Sequence, residues 1–221
     1  MVDPLPAAFG EVAGLPWDER STFIVGGGPS LIGFDFERLR GAGHIIGVNE
    51  SMFRAPCDCA VSMDYNFIRN NYGRLREFVD QGRSLYLVMG LHWAAALDAV
   101  PGAIYLYADP CEGLSLYTNT VRHGATSGYC ALNVAVLKHA KRIVLLGFDY
   151  GMQAGRHHYH DEYFWHQPGE QNWPAWARRF DAAAKACASL GVEVVNASPD
   201  SAITAFRTME IDKAIEWGIS Q

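Results

Sequence analysis

Phe23-Ile24-Val25-Gly26-Gly27-Gly28-Pro29-Ser30-Leu31 runs from a short apolar segment into three glycines, a proline and a serine. An uninterrupted apolar run of this length, ended by turn residues, reads as a parallel strand buried on both faces. The glycines predict a tight turn with φ > 0 and a main chain that a ligand can approach closely. A helix start after such a turn leaves N–H groups unpaired, and its dipole favours an anion. The expectation is a phosphate seat built from Gly26, Gly27, Gly28, Pro29 and Ser30. The pattern is neither GxGxxG nor a P-loop, because no Lys-Ser/Thr pair follows the glycines. The competing explanation is a turn whose glycines serve close packing alone, and on these residues the two weigh evenly.

Outward from this turn, apolar runs alternate with helical patterns. Strands are expected at Thr22–Val25, His44–Val48, Cys59–Met63, Ser84–Met89, Ala103–Tyr107, Arg142–Leu146 and Val192–Val195. Helices are expected at Phe34–Arg40, Tyr65–Val79, Ala94–Val100, Tyr129–His139, Ala175–Leu190 and Met209–Trp217, with residues 108–124 as a loop without period. The alternation implies an α/β fold, Rossmann-like, with a mainly parallel sheet flanked by helices. A single nucleotide-binding domain over residues 1–221 is expected, with residues 1–20 as an N-terminal leader and 151–174 as a lid rich in histidine and aromatic residues.

Open sheets of this kind bind ligands at the carboxyl ends of their strands. Asn49 and Asp64 end the second and third expected strands there; the alternative for Asn49 is a helix N-cap. Thr126-Ser127-Gly128 opens a second helix near that edge, with hydroxyls to cap it and a glycine to admit a ligand. Asp149 and Tyr150 follow the strand Arg142–Leu146. In the segment Arg156-His157-His158-Tyr159-His160-Asp161-Glu162-Tyr163, with His166, Trp173 and Trp176 beyond, a lid over the cleft is the first expectation. Acid–base catalysis by His157, His158 or His160 is the second, and a metal held by His158, His160 and Asp161 the third.

The chain has 221 residues, is 49% hydrophobic and 19% charged, and carries a formal charge of −6. This balance suits a packed core and argues against a broad nucleic-acid surface. No apolar run is long enough for a bilayer, and Met1-Val2-Asp3-Pro4 starts no signal peptide. Five cysteines without a CxxC pair suit reduced thiols. A cytoplasmic protein is expected, in the host cytoplasm if phage-encoded, without membrane attachment and with room for homo-oligomers.

Four blocks carry a family resemblance: Val25 to Leu31; Gly47-Val48-Asn49; Thr126-Ser127-Gly128 continuing through Ile143 to Tyr150; and Val194-Val195-Asn196-Ala197-Ser198-Pro199-Asp200-Ser201. In this order they resemble the group that joins bacterial CMP-sialic-acid-dependent sialyltransferases to 6-hydroxymethylpterin diphosphokinase-like proteins, which includes many phage members. The resemblance implies a Rossmann-like fold with Gly27, Gly28, Asn49, Ser127 and Gly128 at the nucleotide, and Ser198 and Ser201 beside it. Two positions depart from the sialyltransferases. Gly27 stands where they have asparagine, and no histidine stands just before the helix near Trp173, where theirs supplies the base.

Three functions follow as expectations. One is a transferase that takes a nucleotide-activated donor, most simply a nucleotide sugar, and passes a group to a hydroxyl on a small molecule or glycan. Here Tyr150, Tyr159 or Tyr163 would steady the leaving phosphate and His157, His158 or His160 would act as base. The second is a diphosphokinase moving pyrophosphate from ATP, with Mg²⁺ on Asp64, Asp149 and Asp161. The third is a nucleotide-binding phage accessory protein without turnover.

Overall fold

In a computed structural model, residues 9–12, 16–90, 100–161 and 172–220 are described. Among them nine strands form one sheet: β1 Thr22–Val25, β2 His44–Val48, β3 Cys59–Ser62, β4 Ser84–Met89, β5 Ile104–Asp109, β6 Thr120–Arg122, β7 Arg142–Leu146, β8 Glu193–Asn196 and β9 Arg207–Thr208. Their order is β6-β5-β4-β3-β2-β1-β7-β8-β9, and every pairing is parallel. The α-helices among the described residues are α1 Tyr65–Asn70, α2 Tyr72–Asp80, α3 Ser127–Leu137, α4 Trp173–Ser189 and α5 Ile211–Ile219. The fold is α/β and Rossmann-like.

Side chains alternate across the sheet, as a period of two requires. Ile24, Ile46, Val61, Ile143 and Leu145 face the core shared with α3 and α4. Phe23, Val25, Ile45, Val144 and Leu146 face the opposite core, with α1, α2 and α5. With both faces covered, the central strands have no polar side, which is why their sequences read as unbroken apolar runs.

Helix α3 buries ten of its 11 residues. A helix apolar all round must be enclosed, and α3 lies between the sheet and α4, where the Tyr129 and Phe180 rings pack 5.0 Å apart. It also carries the chain back across the sheet. The strands step outward from β1 to β6, α3 returns, and β7 pairs with the other side of β1. Val25 is level with Gly47 of β2 and with Leu146 of β7. This reversal is the topological switch point at which open α/β sheets leave a crevice.

Several expected elements are corrected. The helix placed at Phe34–Arg40 is a single 3₁₀ turn, Phe36–Leu39, and another, Pro29–Leu31, precedes it. The helix over Tyr65–Val79 is two, broken at Asn71, whose amide donates to the Phe67 carbonyl at 3.0 Å. Such back-bonding competes with the helical ladder. The loop 108–124 contains β6, an edge strand in which only Val121 is buried. It is held by buried Asn133, whose side chain accepts from the amides of Ser115 (2.9 Å) and Arg122 (3.0 Å). The two-residue β9 was also missed. Residues 1–8, most of the expected helix Ala94–Val100 and part of the lid, with Glu162, Tyr163 and His166, lie outside the described residues. Of the expected leader, Phe9 bridges to Tyr105, and Trp17 stacks on His44 at 4.5 Å.

Candidate functional site

The glycine turn differs from its expected form. Gly26, Gly27 and Gly28 are not among the residues with positive φ. What excludes a side chain is contact. A Cβ on Gly26 would stand 2.7 Å from the Gly147 carbonyl, and one on Gly27 3.2 Å from His158 Nδ1. One on Gly28 would stand 2.7 Å from Asp149 Cγ. The turn is also largely closed to an anion. Gly26 N–H donates to Leu146 O (2.8 Å), Gly28 N–H to Gly147 O (2.9 Å) and Ser30 N–H to Asp149 Oδ1 (3.1 Å), and Pro29 has no N–H. Gly27 N–H alone in Gly26–Ser30 has no partner among the described residues.

Asp149, Ser30 and Ser198 form a knot behind the turn. The Asp149 carboxylate accepts from Ser30 Oγ at 2.7 Å and from Gln153 Nε2 at 3.0 Å. Burial raises its pKa, and the Ser30 hydrogen bonds oppose that. Ser198 Oγ accepts from Phe148 N–H at 3.0 Å and lies 3.2 Å from Ser30 Oγ. Ser201 Oγ donates to the Phe148 carbonyl at 2.5 Å. These groups fix the end of β7 against the chain after β1. Pro29, Ser30, Asp149 and Ser198, expected at the nucleotide, do not line the cleft; the side chains of Ser30, Asp149 and Ser198 are engaged within this knot.

The cleft itself has a volume of about 400 Å³, within the usual range for small-molecule sites. Its floor is Gly26–Gly28, its rim includes Asn49, Met63 and Asp64, and Ala125–Gly128, Phe148, Tyr150, His157, His158, Trp173 and Trp176 complete it. Here the start of α3 is open. Thr126 Oγ1 caps the helix by accepting from Tyr129 N–H (3.2 Å) and bonds Tyr150 Oη at 2.6 Å. Ser127 Oγ accepts from Met63 N–H at 3.0 Å, tying the helix to the end of β3. The amides of Ser127 and Gly128 have no partner among the described residues. A Cβ on Gly128 would meet Phe148 at 3.0 Å and the Tyr150 hydroxyl at 3.2 Å.

Strained backbone gathers at this cleft. Among the described residues five non-glycines have positive φ, and three of them line it: Asn49 (51°), Ala125 (66°) and Tyr150 (50°). Such conformations cost about 1–3 kcal/mol each and persist where the surroundings enforce them. Asn49 opens the 3₁₀ turn Asn49–Phe53. That turn is anchored by buried Glu50, which pairs with Arg74 at 2.9 Å and Arg54 at 3.3 Å. Asn49 Oδ1 is buried without a hydrogen-bond partner among the described residues, which leaves it an unused acceptor. Asp64 caps α1 by accepting from Phe67 N–H at 3.0 Å. Histidines aside, it carries the one formal charge among the described residues lining the cleft.

The histidine segment lies on the glycine turn. Tyr159 N–H donates to the Gly27 carbonyl at 3.1 Å. Its hydroxyl lies 3.0 Å from Ser51 Oγ, which donates to Gly26 O at 2.7 Å. His158 Nδ1 is 3.3 Å from the same Gly27 carbonyl. A carbonyl only accepts, so this contact puts the proton of neutral His158 on Nδ1 and the lone pair on Nε2. His157 stacks on Trp173 at 5.9 Å. His160 stacks behind His158 at 5.3 Å and is 7% exposed. It does not line the cleft, and neither does Asp161, whose side chain is 90% exposed and paired with Arg156 at 2.7 Å. Asp64, Asp149 and Asp161 thus occupy three separate settings, and no metal-holding group of three His, Cys, Asp or Glu exists among the described residues.

Burial holds the His160 imidazolium down to about 4, from an ordinary 6.5. The unfolded chain therefore takes up this proton first as pH falls. Stability from the neutral ring is complete above pH 6.5 and is lost between 6.5 and 4, at no more than about 1.4 kcal/mol per pH unit. Urea unfolding of the wild type and His160→Gln across this interval should show a shallower pH slope in the variant. Equal slopes would mean that His160 is not buried as described.

Among solved structures the chain is similar to the sialyltransferase CstII from Campylobacter jejuni, in complex with a substrate analogue, cytidine-5'-monophosphate. The TM-score is 0.51 at 16% identity, over 91% of this chain and 87% of that one. The likeness is one of fold. No protein-family model matches the chain, and no curated protein does. Among the described residues, no helix is long and apolar enough to cross a membrane.

Of the expected nucleotide-binding residues, Gly26, Gly27, Gly28, Asn49, Asp64, Thr126, Ser127 and Gly128 are brought to one cleft, with His158 and Tyr150 from the expected catalytic set. Met63, Ala125 and Phe148 line it too and were missed, although each adjoins a strand or helix end on the expected edge.

Proposed function

We propose that the protein is a glycosyltransferase-like transferase that binds a nucleotide-activated sugar and passes the sugar to a hydroxyl acceptor. The observation that carries this reading is the start of α3, where two amides without a partner among the described residues lie at a cleft at the β1/β7 reversal. A helix start of this kind suits one phosphate. Among the described residues the cleft lining offers no Lys or Arg to neutralise more, and the Asp64 carboxylate opposes a heavily charged ligand. A donor joined through a single phosphate fits these terms. The bound ligand of the structural neighbour, a nucleoside monophosphate, supports that choice.

In the transfer, the acceptor oxygen bonds to the anomeric carbon of the donor sugar. The bond from that carbon to the phosphate oxygen breaks, and its electron pair leaves with the nucleotide. The acceptor proton goes to His158 Nε2, the nitrogen that the Gly27 carbonyl leaves unprotonated; this atom is buried, so ligand binding must bring it to the cleft. The Ser127 and Gly128 amides meet the charge that develops on the leaving phosphate, as preorganised donors do. The Tyr150–Thr126 hydroxyl pair stands beside them. The diphosphokinase alternative needs carboxylates gathered around Mg²⁺, and the separation of Asp64, Asp149 and Asp161 gives it no support.

Thermal melts with CMP, UDP, GDP, ADP and ATP, with and without Mg²⁺, test the reading. A bound nucleotide at a hundredfold excess over Kd adds about 2.7 kcal/mol, or roughly 5–10 °C for a chain of this size. A monophosphate should stabilise without Mg²⁺, and transfer from its sugar conjugate should survive EDTA. Stabilisation by ATP with Mg²⁺ alone would favour the diphosphokinase, and binding without any transfer would favour an accessory protein.

A further inference from the structure

We propose that Trp173 and Trp176 form the acceptor platform of this cleft, shaped to take the flat C–H face of a pyranose ring; the proposal rests on the transferase reading above. The two indoles belong to the first turn of α4, three residues apart and therefore on one side of the helix. Their rings are 5.5 Å apart and 81° to one another, so they make a corner. Both are only partly buried and both line the cleft. One plane of that corner is fixed from behind: His157 stacks on Trp173 at 20°, and Tyr150 abuts it edge-on at 6.1 Å. Indoles not enclosed in a core and held near a right angle present apolar surface for a ring, and an indole N–H can donate to hydroxyls at its rim.

A nucleobase also has a flat face, and the layout of the sheet separates the two candidates. The strand order across the cleft is β3-β2-β1-β7. The acceptor able to read a base edge, Asn49 Oδ1, follows β2. The indoles sit on the other side of β1, against Tyr150 at the end of β7. His158 lies between, on the Gly27 carbonyl, with its ring 6.4 Å from that of Trp173. A sugar resting in the indole corner would therefore present its rim hydroxyls to the proposed base.

The test uses the full chain saturated with CMP and a panel of methyl pyranosides of gluco, galacto and manno configuration. Saturation-transfer NMR reads contact at the sugar ring C–H protons, and tryptophan fluorescence reads affinity. Contact is expected for at least one pyranoside. Affinity should fall about tenfold in Trp176→Ala, as loss of one buried apolar ring face implies, and should recover in Trp176→Phe, with CMP affinity equal in all three proteins. Absence of pyranoside contact in the CMP-loaded wild type would overturn the proposal. So would a Trp176→Ala protein that loses CMP affinity by the same factor, since the indoles would then hold the base. A wild type that does not bind CMP would instead remove the transferase reading on which the proposal stands.

Discussion

Replacing His158 by alanine should slow sugar transfer by about 10²- to 10⁴-fold, the usual worth of a positioned general base, and leave nucleotide binding in place. His158→Asn sharpens the result. An asparagine amide can still donate to the Gly27 carbonyl that His158 Nδ1 meets at 3.3 Å, but it cannot accept the acceptor proton. Both variants should therefore lose rate alike if His158 is the base. A His158→Asn enzyme with the wild-type rate would show that the contact with Gly27 matters and the base lies elsewhere. His160 lies behind His158 and off the cleft wall, so His160→Gln should keep the wild-type rate. Single-turnover measurements at saturating donor separate these outcomes from effects on binding.

The second large effect concerns folding. Gly28→Ala should lower the melting temperature by roughly 5–10 °C. Its Cβ would press on the buried Asp149 carboxylate and stand 2.7 Å from the Gly147 carbonyl. Overpacking of this kind costs about 1–3 kcal/mol, and shifting Asp149 would also weaken its bonds to Ser30, leaving charge poorly solvated. For a chain of this length each kcal/mol moves the midpoint by about 2–4 °C. Gly73 in α2 supplies the control, since nothing lies within 4 Å of its Cβ position. Gly73→Ala should be neutral or stabilise by about 0.5–1 kcal/mol. If Gly28→Ala melts with the wild type, the turn is not packed against β7 as described.

These two residues also mark the boundary of what the sequence made legible. Strands β1, β2, β4 and β7 begin and end where their apolar runs do, because burial on both faces leaves a local signature. The open start of α3 was readable for a similar reason: Thr126-Ser127-Gly128 is a local capping pattern, and its geometry depends on neighbours in the chain. The glycine turn is the opposite case. Small residues announce that space is scarce, but not what fills it. At Gly28 the neighbour is Asp149, and at Gly27 it is His158, both more than a hundred positions away. Asp149 and Ser198 looked like ligand groups because they are polar at strand ends; both are engaged by Ser30, with Gln153 completing the one and the Phe148 amide the other. Strands β6 and β9, with three and two residues, are too short for any period. Asn71, one residue inside a good helical pattern, was enough to divide it into α1 and α2.

The position of β1 has a consequence for synthesis. Its first neighbour, β2, leaves the ribosome soon after it, but Val25 must wait 121 residues for Leu146 of β7. At ordinary elongation speeds that interval is roughly 6–24 s. Throughout it the nascent chain displays the middle of its future sheet as a bare edge, able to pair with any extended segment nearby. Assembly of this protein is therefore gated by translation: the floor of the cleft is completed only when the return strand emerges.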